Sequence, residues 1–244
     1  METNQIGPQL GGQWLDRLQA ILEVLLLAGL ISSFMAALPF GLLQIDALML
    51  TRDATAVALF VILEASIVLL LLVLVLRLHS EPLRSLGLRK DRWLSHLAAG
   101  AALVPLLFLI NMIVATLFRV LLPGYFLERN PLVDLVKTPR DLVVFLLAAL
   151  FAGGIKEELQ RAFILNRFRD HLGGAWFGLM VWSALFGAGH YLQGLQGVVV
   201  ATIFGILFGG LYLVRGSLVA PIVAHAIYDT AALLGYWFLA PSAH

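Results

Sequence analysis

DLVVFLLAALFAGGIKEELQRAF, residues 141–163, runs an apolar segment of membrane character straight into Lys156, Glu157, Glu158 and Arg161. An ionisable side chain inside a bilayer costs about 2.5–3.5 kcal/mol on insertion scales, so such residues face partners, a cavity or water. The stretch therefore reads as a membrane helix with one working face, and the rest of the chain supports the membrane half of that reading. Of 244 residues, 61% are hydrophobic and 13% charged, with a mean hydropathy of +0.94; soluble domains hold roughly 45–50% apolar residues. The expectation is an all-α polytopic transmembrane helix bundle.

At roughly 17–25 apolar residues per crossing, about seven spans are expected, near 18–43, 54–78, 94–122, 141–166, 174–192, 195–214 and 218–240. They divide the chain into a short polar N-terminal segment, 1–17, and a single transmembrane domain, 18–240. The N-terminus lacks a basic n-region and a small-residue cleavage site, so its apolar run reads as a first span rather than a removable signal. There are no cysteines, which excludes disulfides and thiolate metal sites, and a net charge of +1 with no basic tract gives no sign of nucleic acid as a partner.

Lys and Arg near the span ends set the expected orientation. With the N-terminus cytoplasmic, that side carries Arg17, Arg77, Arg84, Arg89, Lys90, Arg92, Arg167, Arg169 and Arg215, against Arg52, Arg119, Arg129, Lys137 and Arg140 opposite. A multi-pass cell-membrane protein with a cytoplasmic N-terminus is expected.

Three late spans each bring a proton-active or metal-binding group. Glu157 and Glu158 lie in the fourth, His190 ends FGAGH in the fifth, and His225 and Asp229 belong to HAIYD in the seventh. Glu157 and Arg161 are i,i+4 neighbours and Glu158 and Arg161 are i,i+3, so one guanidinium can reach either carboxylate. Adjacent residues diverge by about 100° on a helix, so one glutamate is expected to face a cavity and the other to be held by Arg161. His225 and Asp229 share a face, as do Phe186 and His190. A Glu–Arg pair or a span-end His is often merely structural, but these groups together point to one pocket lined by the fourth, fifth and seventh spans. Counting about 1.5 Å per residue places Glu157 and Asp229 near mid-membrane and His190 toward the far end of its span, so a shared pocket requires the fifth helix to tilt or sink, or the span boundaries to lie elsewhere. Glu64, inside the second span, is open to a helix–helix hydrogen bond, and Gly205 and Gly209 form a G-x-x-x-G pair that permits close packing of the sixth.

Two imidazoles and carboxylates suit Zn²⁺, with Glu157, His190, His225 and Asp229 as the candidate ligands. A glutamate beside a bound water can take its proton and pass it to a leaving amine, with or without a metal. Both forms stay open at this level, and the soluble H-E-x-x-H pattern is absent.

The residues resemble the CPBP family of intramembrane proteases, also called type II CAAX or ABI proteases. Its three motifs correspond here to E157-E158-L-Q-R161, F186-G-A-G-H190 and H225-A-I-Y-D229, in order, within 140–235. The resemblance implies a membrane endopeptidase acting on a membrane-associated protein or peptide, with a cavity among the late helices. Glu157 is implied as the base, Glu158 and Arg161 as its support, and His190, His225 and Asp229 as the remainder of the site. Two departures stand out: two residues rather than three separate the second Glu from Arg, and Asp stands at 229 where Asn is common. The competing readings are a proton-coupled transporter, which predicts inverted halves not visible here, and a non-catalytic membrane scaffold.

Overall fold

The computed structural model describes residues 7–44, 52–88 and 91–239, which are mostly helical. Residues 1–6 of the polar N-terminal segment, Arg89 and Lys90 of the orientation count, and residues 45–51 and 240 of the expected domain lie outside the described residues. The first span is a broken helix, α1 (Gly7–Leu27) followed by α2 (Leu30–Leu42). Gly29 breaks it with φ 102°, a left-handed conformation that costs glycine nothing. Ser32 Oγ lies 2.9 Å from the Gly29 carbonyl, and Leu27 O accepts a hydrogen bond from Gln160 Nε2. Backbone groups freed at membrane depth are thus satisfied inside the protein, as a bilayer requires.

α3 (Ala54–Leu78) starts at Asp53, whose side chain accepts from Ala56 N at 2.7 Å, the usual way to occupy an orphan donor at a helix start. α4 (Trp93–Leu121) follows. A reciprocal capping box between Thr138 and Asp141 then opens α5 (Pro139–Ala148), which runs without interruption into a π-helical segment (Ala149–Glu157) and α6 (Glu158–His171). α7 (Ala175–Gly189), α8 (Gly194–Arg215) and α9 (Val219–Leu239) complete the bundle.

α6 is the central pillar. Every residue from Gln160 to Phe168 is buried, as expected of a helix enclosed on all sides. Phe163, Ile164 and Leu165 pack in one cluster with Leu27 of α1, Val68 and Leu72 of α3, Trp182 of α7 and Tyr212 of α8. Gly205 and Gly209 face Ser183 and Leu179 of α7, so the G-x-x-x-G pair of the sixth expected span serves packing inside the chain.

Among the described residues, five stretches are long and apolar enough to cross a membrane: Gln13–Leu42, Ala54–Leu78, Trp93–Leu121, Tyr191–Arg215 and Val219–Leu239. The chain is a multi-pass helical membrane protein, but two of the expected spans have other limits. The fourth is part of the continuous run from Pro139 to His171. The fifth is only the 15 residues of α7, about 22 Å long against a roughly 30 Å hydrocarbon core.

These limits remove the expected mismatch in depth. The helix carrying the glutamates extends to His171, not 166, and turns into α7 through Gly173 and Gly174. Measured from that turn, Glu158 lies about 20 Å up α6 and His190 about 22 Å up α7.

Candidate active site

The π segment delivers Glu157 and Glu158 beside α9. Its i→i+5 hydrogen bonding is rare and is found mostly at functional sites. Gly153 lets the two helices meet: a Cβ there would lie 2.7 Å from Asp229 Oδ2 and 3.4 Å from His225 Nε2. Gly154 packs on Ala226 in the same contact.

The two glutamates have different surroundings. Glu158 is fully buried, pairs with Arg161, and accepts from His225 Nδ1 at 2.8 Å. With its Nδ1 donating to a carboxylate, a neutral His225 ring presents the lone pair of Nε2. That nitrogen lies 3.8 Å from Glu157 Oε2 and 3.6 Å from Asp229 Oδ2. Both separations exceed direct hydrogen-bond length, and polar groups so spaced are commonly bridged by water.

Aromatic rings hold this arrangement. Phe208 of α8 stacks on His225 with centroids 4.6 Å apart, and the Arg161 guanidinium lies 5.6 Å from the same ring. Phe186 of α7 lies 4.8 Å from that guanidinium and 4.6 Å from the His190 ring. One phenylalanine therefore flanks both an arginine and a histidine, a cation–π use of its face. His190 caps α7, with Nδ1 2.8 Å from Phe186 O, and stands within electrostatic reach of Asp229. Among the described residues no hydrogen bond joins His190 to the other site residues.

Two further features were not visible in the motifs. Phe208 carries no sequence signal beyond its place beside Gly209. Lys156, next to Glu157, is buried and forms an ion pair with Glu64 Oε2 at 2.9 Å, while Ser32 Oγ donates to Glu64 Oε1 at 2.8 Å. Glu64 therefore belongs to an ion pair behind the site as well as to the helix–helix hydrogen bond its position left open.

Among the described residues no three His, Asp or Glu side chains are placed to hold a metal ion. Glu158 engages Nδ1 of His225 and the Phe186 carbonyl that of His190, which leaves each Nε2 as the nitrogen open to a ligand such as Zn²⁺, with Glu157 Oε2 and Asp229 Oδ2 3.8 and 3.6 Å from that of His225.

Comparison with curated proteins and with solved structures returned no match. Residues 139–231 match the family model of the type II CAAX prenyl endopeptidase, Rce1-like. That segment contains Glu157, Glu158, Arg161, His190, His225 and Asp229, so every candidate site residue lies within the part of the chain that is similar to the CAAX-type protease family.

Proposed function

We propose that this chain hydrolyses a peptide bond in a membrane-associated protein or peptide, using a water activated by Glu157. The observation that supports the reading is the unequal engagement of the two glutamates. Glu158 is occupied by Arg161 and His225, whereas Glu157 faces His225 Nε2 across 3.8 Å. A water in that gap would give its proton to Glu157 and add to the scissile carbonyl carbon. His225 and His190 would stabilise the oxyanion. The C–N bond then breaks as Glu157 passes the proton to the leaving amine, which yields a carboxylic acid and an amine, and the acid then loses its remaining proton to solvent. Glu158 and Arg161 would orient the His225 ring, and Asp229 would hold the water from the other side. The scheme needs only these side chains; a Zn²⁺ held by Glu157, His190, His225 and Asp229 would supply the same activation of water. The N-terminus is placed on the cytoplasmic side, on the Lys and Arg distribution.

The test is purified protein in liposomes with a farnesylated peptide ending in a C-a-a-X sequence, in water enriched in ¹⁸O. The reading predicts a shortened prenyl peptide with one ¹⁸O in its new carboxyl group. Product without the isotope, or no cleavage, contradicts it.

A further inference from the structure

Resting on that reading of Glu157, we propose that Lys156 and Gln160 are positioning residues: held by Glu64 and by the Leu27 carbonyl, they set the rotation of the π segment and aim Glu157 at His225 and Asp229. Lys156 and Gln160 are both buried and lie one α-helical turn apart. Lys156 Nζ meets Glu64 Oε2 of α3 at 2.9 Å, and Gln160 donates to the carbonyl released where α1 stops. Arg167, further along, pairs with Glu23 of α1 at 2.5 Å and with Glu81 at 2.8 Å. Positions 156, 160 and 167 fall within about 40° on a helical wheel, so one face of the helix is tied to the broken first span and to α3. Glu158 and Arg161 meet α9, α8 and α7 instead.

The segment needs such anchors because a π turn holds one residue more than an α turn. Relaxation to α geometry would shift everything downstream by one residue, about 100°, and bring a neighbour of Glu157 to the position facing His225. Gly153 and Gly154 have no side chains to resist that rotation. The phase must be fixed from outside, as strained backbone at functional sites generally is. A buried ion pair is suited to fixing it, because such pairs are often replaceable without loss of stability and their best-attested use is to set register.

The experiment removes both charges together with Lys156→Met and Glu64→Gln, leaving no unpaired ion. We expect a thermal midpoint at or above that of the wild type. With the farnesylated peptide, kcat falls more than tenfold and KM moves less than twofold, whereas Lys156→Arg keeps at least half the wild-type kcat. A second readout needs no substrate. The chain has no cysteine, so Ile155→Cys and Ile227→Cys, at positions 42% and 41% exposed, take spin labels specifically. The label-to-label distance is expected to be narrow in the otherwise unaltered chain and with Lys156→Arg, and shifted or broadened with the neutral pair. Unchanged distances and a kcat within twofold of wild type would overturn the proposal. Full activity of Glu157→Gln would instead overturn the catalytic reading, while the label distances still decide the positioning.

Discussion

Replacing Gly153 with alanine tests the close approach of the π segment to α9. The added Cβ would sit 2.7 Å from Asp229 Oδ2, about 0.7 Å inside the 3.4 Å at which ordinary van der Waals contact begins. Its distance to His225 Nε2, 3.4 Å, leaves no slack on the other side. Asp229 must therefore retreat from its 3.6 Å separation from His225, or α9 must move as a whole. Overpacking of this kind costs about 1–3 kcal/mol, and the gain in helix preference of Ala over Gly returns about 0.5–1 kcal/mol. A displacement approaching 1 Å near reacting groups can lower the rate about 100-fold. Gly153→Ala is expected to fold with a slightly lowered thermal midpoint and to lose about 10- to 100-fold in kcat/KM on the farnesylated peptide. Gly210→Ala is the control: no atom lies within 4 Å of a Cβ there, so it should raise the midpoint and leave the rate unchanged. A Gly153→Ala enzyme within twofold of wild type would refute the reasoning, because the contact would then not constrain the site.

Arg161→Met leaves Glu158, at 0% exposure, without its guanidinium, and breaking a buried pair costs about 3–5 kcal/mol. The folded yield should collapse and should recover in large part when Glu158→Gln is added, as measured by size-exclusion chromatography in detergent. Metal removal is the second test: treatment with 1,10-phenanthroline should leave turnover unchanged, and loss of activity restored by added Zn²⁺ would count against metal-free activation of water.

Hydropathy made the membrane bundle legible, because long apolar runs have no other solution in a chain with so few charges. The spacing of Glu158 to Arg161 and of His225 to Asp229 was legible as well, since i,i+3 and i,i+4 neighbours meet on any helix. The order of the two glutamates was not. It depends on the helical phase at Glu157, which the π segment changes, and ALFAGGIKE carries no periodicity that announces i→i+5 bonding. The glycine pair within it read only as close packing or a local break. The helix of the fourth expected span runs on past 166 for a physical reason: NRFRDH is too polar for lipid, yet the helix continues through it, with Arg167 paired to Glu23 and Glu81. Partners remote in the chain, such as Lys156 and Glu64 or His225 and Phe208, leave no local pattern to read.

The central claim is that Glu157 activates the water and Glu158 holds His225. It is tested most directly by the single-turnover rate of Glu157→Gln beside Glu158→Gln, with both variants normalised to folded protein. General-base catalysis typically contributes about 10²–10⁴-fold, so Glu157→Gln should lose at least 100-fold, and Glu158→Gln should cleave faster than Glu157→Gln. A Glu157→Gln enzyme that cleaves within tenfold of wild type, or an order of the two variants reversed, would contradict the account.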